Sequence, residues 1–178
     1  MESPSRGNGV GTADHSIQPE RYWTKPTAYC PNSPLPVLVY RGVFDPNVTV
    51  EEASKILQAN HWIKGGVFKH YPAHHYHSNT HECYAAIRGN TKCVYGVGPL
   101  DDESDGVTFE MSAGDIAVHA AGVAHRNSES SLDYEYIGAY PEVGRERTSM
   151  STVTTDAFSG GLATLGQQFL HSRAARYA

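Results

Sequence analysis

Residues 74–89 read HHYHSNTHECYAAIRG, and the way this stretch must run governs the reading of the whole chain. The protein has ten histidines, and His70, His74, His75, His77 and His81 crowd into one short segment. On an extended strand successive side chains point to opposite faces, so His75 and His77 share a face while Tyr76 points away. Ser78-Asn79-Thr80 is a turn sequence, after which Glu82 opens the apolar run to Ile87 and can bring its carboxylate to the same point. A distant imidazole, His125 in AAGVAHRN, completes a set of four. Three neutral imidazoles and one carboxylate suit a first-row divalent ion and leave one or two positions open for water, substrate or dioxygen. The same donors accept Fe, Mn, Co, Ni or Zn, so the cofactor is read as one divalent transition metal of undetermined identity.

Blander readings of the same residues exist. A His-rich surface tract can chelate metals incidentally, but such a tract does not account for Glu82 and His125. His77 and His81 have the spacing of a zinc pair on a helix, yet the HExxH order is missing and the turn residues oppose a helix. His74 is out of phase with His75, and His70 precedes Tyr71-Pro72, so both fall outside the set. His81 reads as a supporting or surface residue, and His119 as a rim histidine, with a place near the site as the alternative. Tyr84 has the parity of Glu82. Its phenol could orient substrate or donate a proton, which makes Glu82 and Tyr84 the candidate catalytic residues, although a packed core aromatic is the simpler role for Tyr84. Cys83 and Cys93 flank the turn at Arg88-Gly89-Asn90 and are expected on the outer face of a hairpin.

Working outward, the runs WIKGGVFKHY, CYAAIRGNTKCVYGVG, GVTFEMSAGDIAVH and LDYEYIGAYP are short, β-rich and punctuated by Gly and Asp-Gly. They predict an all-β antiparallel barrel or sandwich. Ahead of them, Leu35 to Tyr40 predicts a strand that Pro34 and Pro36 confine to an edge. DPNVTVEEASKILQAN carries a capping box at Thr49–Glu52 before Val50, Ala53, Ile56 and Leu57 at helical spacing, which predicts a short N-terminal helix near 49–59. Residues 1–20 are rich in Gly, Ser and Thr with few large apolar side chains, and are expected to form a disordered tail. The barrel domain is read as 21–145. Residues 146–178 form a C-terminal extension in which Leu162, Leu165, Phe169 and Leu170 can build a short helix.

A net charge of −5 without a Lys/Arg cluster argues against nucleic-acid or anionic-membrane partners and leaves a small-molecule substrate. No stretch approaches the roughly 18 apolar residues of a membrane span, and no export signal is visible, so a cytoplasmic location is expected. Three cysteines do not make a disulfide framework and read as free thiols.

His75-x-His77, Glu82 and Gly89 resemble the first cupin motif, and Gly114, Gly122 and His125 the second. The flanking text PNSPLPVLVYRG, HHYHSNTHE and YIGAYP is similar to the YjlB-type cupins. The resemblance covers about residues 29–140 and implies a jelly-roll β-barrel, a metal held by the three His and the Glu, and a homodimer. Ala120 stands where the motif usually has Pro, Glu129 where it has Asn, with Asn127 nearby, and Lys69 where it has Gly. The activities implied are those of metal-dependent cupin enzymes on small oxygen-rich molecules. Dioxygenase or other oxidoreductase chemistry leads, and decarboxylase or lyase, isomerase and non-catalytic metal- or ligand-binding roles are the alternatives.

Overall fold

Pro36 ends an irregular entry segment, and strand pairing starts with the alternating VLVY that follows it. The computed structural model describes residues 17–142 and the backbone of residues 150–152. Its strands are β1 (Glu20–Tyr22), β2 (Val37–Tyr40), β3 (Trp62–Phe68), β4 (His75–His77), β5 (Glu82–Arg88) and β6 (Asn90–Tyr95). They continue with β7 (Val107–Ser112), β8 (Ile116–His119), β9 (His125–Ser130), β10 (Glu135–Pro141) and β11 (Met150–Thr152). One helix, α1 (Val50–Ala59), lies between β2 and β3.

The strands form two antiparallel sheets, β1-β2-β8-β5-β10-β3 and β11-β4-β9-β6-β7. Their facing sides bury Val37, Val39, Tyr84, Cys93, Tyr95, Met111 and Tyr136. The other face of the six-stranded sheet is covered by α1, whose Ala53 and Leu57 pack on Cys83, Ala85, Ile87, Ile137 and Ala139. Covered on both sides, β5 reads as a continuous buried run rather than an alternating one. The helix begins as the capping box requires. The Thr49 hydroxyl accepts from the Glu52 amide at 3.2 Å, and the Glu52 carboxylate accepts from the Thr49 amide at 3.0 Å.

β5 and β6 do not form a hairpin. They lie in different sheets, and the chain changes sheet at Gly89, whose φ of 62° favours glycine. A Cβ there would lie 2.9 Å from the Tyr134 amide nitrogen. The crossing corrects the placing of the cysteines: Cys83 faces α1, whereas Cys93 points into the space between the sheets. β2 is likewise not an edge strand, because β1 pairs with it on one side and β8 on the other. Leu35 precedes the strand and is 45% exposed.

Residues 1–16, most of the expected tail, lie outside the described residues, while Glu20 opens β1. In the C-terminal extension, residues 150–152 run antiparallel to β4, with Met150 opposite His77 and Thr152 opposite His75. The helix expected around Leu162–Leu170 lies outside the described residues. Among the described residues, no helix is long and apolar enough to cross a membrane.

Candidate metal centre

β4 is three residues long, and its alternation does what the sequence demands: His75 and His77 are buried inward while Tyr76 packs outward on Cys30 and Ala124. β9 brings His125 directly opposite His75. The loop before His125 is fixed from both sides, because the Gly122 amide donates to His77 O at 2.8 Å and the Ala124 amide to Asn32 Oδ1 at 3.1 Å. From the facing sheet, β5 contributes Glu82. One ligand atom from each of His75, His77, Glu82 and His125 lies within 4.8 Å of every other, and all four residues are buried. Glu82 Oε2 is 2.9 Å from His77 Nε2 and 3.2 Å from His125 Nε2.

The donor set fits a cation. His75 Nδ1 lies 3.0 Å from Ala73 O, and His125 Nδ1 lies 2.9 Å from Val123 O. A carbonyl can only accept, so both Nδ1 atoms carry the proton and both Nε2 atoms present lone pairs to the cluster. His125 Nε2 is buried without a hydrogen-bond partner, facing a carboxylate oxygen that also carries lone pairs. Two acceptors 3.2 Å apart repel unless a positive charge lies between them. Bonds of about 2.1 Å to a first-row ion place neighbouring donors about 3 Å apart, which is the spacing of Glu82 Oε2 from His77 Nε2 and His125 Nε2.

The electrostatics agree. Burial pushes the Glu82 carboxyl up, but the hydrogen bonds it accepts, that from His119 foremost, outweigh it and hold the group well below the usual carboxylate range, so it is ionised. Burial lowers His75 and His125 to about 4, which keeps both neutral and available as donors at pH 7.

A scan against protein-family models found none that matches the chain. Over 113 residues the chain is 35% identical to YjlB of Bacillus subtilis (strain 168), an uncharacterized protein. The match covers 62% of each protein, so the chain spans less than two thirds of its relative. Over that stretch the chain is similar to YjlB. Among solved structures it is similar to RmlC from Streptococcus suis in complex with dTDP-D-xylose, with 11% identity over 74% of this chain and 72% of that one, and a TM-score of 0.39. A double-stranded β-helix protein from Klebsiella pneumoniae is 16% identical over 85% and 99% of the two chains, with a TM-score of 0.35. Oxalate decarboxylase of Bacillus subtilis is 16% identical over 66% and 28%, also with a TM-score of 0.35.

His119 is not a rim residue. It is 2% exposed, lies opposite Glu82 in the β5–β8 pairing, and places Nε2 3.2 Å from Glu82 Oε2. With Nε2–H directed at the carboxylate, its Nδ1 accepts from the Tyr95 hydroxyl at 3.3 Å. The signal was present in the sequence: Ala117 is a core residue, and His119 shares its face of β8. The same rule finds Tyr136, Gly138 and Tyr140, which share the inward face of β10. The Tyr140 ring meets His77 edge-on at 5.2 Å, and its phenol hydrogen-bonds Glu82. Gly138 leaves room for this arrangement, since a Cβ would lie 3.0 Å from the Phe68 ring and 3.1 Å from Glu82 Oε1.

Tyr84 stands against the cluster rather than within it. It is 2% exposed, sets its ring edge-on to His119 and His125 at 5.3 and 5.4 Å, and hydrogen-bonds Tyr136. His74, His70 and His81 point elsewhere. His74 Nδ1 donates to Val97 O at 2.8 Å, His70 meets Ser130 Oγ at 2.9 Å, and His81 Nδ1 accepts from the Ala121 amide at 3.1 Å. His81 thereby braces the turn where Ala120 replaces the usual Pro. Asn127, rather than Glu129, takes the buried place on β9, where Oδ1 accepts from the Tyr71 amide at 3.1 Å. That bond holds Tyr71, whose ring meets His75 at 4.7 Å.

Proposed function

We propose that this chain is a metal-dependent enzyme that acts on a small oxygen-rich molecule at a mononuclear centre held by His75, His77, Glu82 and His125. The observation that carries this reading is the orphaned Nε2 of His125, buried 3.2 Å from an ionised carboxylate in a cluster of four potential donors. A bound divalent ion would supply Lewis acidity toward a carbonyl, enediol or phenolate oxygen and, as iron, redox chemistry with dioxygen. Oxidoreductase chemistry is preferred over lyase or isomerase chemistry on the resemblance of the two motifs to those of cupins.

The protein's own groups have separable tasks in this proposal. His75 and His125 are held in one tautomer by backbone carbonyls, so they offer Nε2 without reorganisation. His119 and Tyr140 hold Glu82 by hydrogen bonds and fix the orientation of its carboxylate. Tyr84, with Tyr95 and Tyr136, excludes water from the inner side of the cluster. A homodimer is also proposed, on the family resemblance alone, since β1 already covers the β2 edge that would otherwise motivate it.

The test is elemental analysis of protein purified without added metal, followed by turnover and oxygen uptake with catechols, β-dicarbonyls and small carboxylic acids. About one metal per chain and oxygen uptake with one substrate class are expected. Protein that neither contains nor takes up a transition metal refutes the proposal.

A further inference from the structure

Resting on the metal-centre reading, we infer that the site takes a small ligand that presents two oxygens with at most one negative charge, such as the enolate of a β-diketone, and discriminates against dicarboxylates. The basis is a charge count on the barrel interior. Among the described residues the buried acidic groups are Glu82 and Asp115, and no Lys or Arg is buried. Asp115 is committed elsewhere, where it accepts from Arg41 at 3.0 Å, the Gly42 amide at 2.9 Å and the Ser112 amide at 3.1 Å.

The partly buried cations also face away from the cluster. Arg41 is held by Glu20 and Asp115, and Arg126 by Glu103 at 2.8 Å. Lys92 alternates with Thr91 and Cys93, which are buried, so it projects outward. On β3, Lys64 pairs with Ala139, a residue of the α1-facing side.

Three neutral imidazoles, one carboxylate and a divalent ion sum to a single positive charge. A monoanionic ligand neutralises it. A dianion leaves a net negative charge in a buried site with no guanidinium or ammonium to pair with it, and an unpaired buried charge is costly. The surroundings add to the penalty, because the rings of Tyr84, Tyr95, Tyr136 and Tyr140 bring apolar bodies and electron-rich faces around the cluster. Toward the surface, the 38% exposed Phe68 lies across Gly66 and Gly138 and adds another apolar ring beside the cluster.

Acetylacetone and malonate separate charge from shape, since both chelate through two oxygens in a six-membered ring and differ mainly in net charge. Full-length protein loaded with Co(II) is titrated with each, visible absorption of the ion reports ligand arrival, and each affinity is divided by that for aqueous Co(II). Acetylacetone should be favoured by at least about tenfold on this scale. Malonate bound equally well or better, or no spectral response to either ligand, overturns the inference while leaving the metal centre intact. A protein that takes up no cobalt overturns both.

Discussion

Exchanging Glu82 for Gln tests the centre without removing volume. The side chain is 3% exposed, and its Oε2 is approached at 2.9 Å by His77 and at 3.2 Å by His119 and by His125. The glutamine would fit the same space and keep an oxygen, but as a neutral acceptor. Hydrogen bonds to charged groups contribute about 1.5–3 kcal/mol against about 1 for neutral ones. Similar energies on the metal side correspond to roughly 10- to 100-fold weaker metal binding. Because bound metal stabilises the fold in proportion to the logarithm of its affinity, that loss appears as a smaller metal-induced rise in melting temperature. For a chain of this size about 2–4 °C accompanies each kcal/mol, so the rise should shrink by roughly 3–10 °C in Glu82→Gln. The assay is calorimetric melting of parent and variant with and without saturating Co(II) or Zn(II). An identical rise in both proteins would refute the assignment of the carboxylate to the centre.

Replacing His75, His77 or His125 by Ala should each remove most bound metal, whereas His74→Ala should keep it, because His74 donates to Val97 O; elemental analysis of the four variants decides, and equal loss in His74→Ala refutes the assignment. Metal-free protein should lose stability as the pH falls from about 6.5 to about 4, since His75 and His125 bind protons in the unfolded chain over that range and resist them when folded. Each contributes up to about 3 kcal/mol at neutral pH, and urea titrations that show no slope across that window would contradict the burial argument. Gly89→Ala should cost more than about 1 kcal/mol, from a positive φ and a close approach to the Tyr134 amide, and an unchanged urea midpoint would show that the sheet crossing tolerates a side chain. Light scattering at micromolar concentration should report twice the chain mass; a monomer mass excludes the dimer.

The legible parts of the fold are those set by local spacing. The capping box at Thr49–Glu52 starts a helix because both of its hydrogen bonds lie within one turn. His75 and His77 share a face because alternation operates over two residues. What escaped was set by pairing between distant segments. Nothing near Leu35–Tyr40 shows that Glu20–Tyr22 will cover it, and nothing around Gly89 shows whether the chain folds back on itself or passes to the other sheet. Once it passes across, Cys83 and Cys93 face different cores.

His119 and Tyr140 belong to a third category, visible in principle, in which the motif reading leaves His119 near the site only as an alternative and passes over Tyr140. Each follows a known inward residue by two positions, Ala117 on β8 and Gly138 on β10, so alternation alone aims both at the interior. A motif reading stops at the residues that supply donor atoms, and these two supply none of the four. Their effect is exerted through Glu82, which needs hydrogen bonds to stay ionised and fixed while buried. Any buried carboxylate read from a sequence therefore implies polar partners at inward positions on the neighbouring strands. Here β8 and β10, the strands that flank β5, provide them.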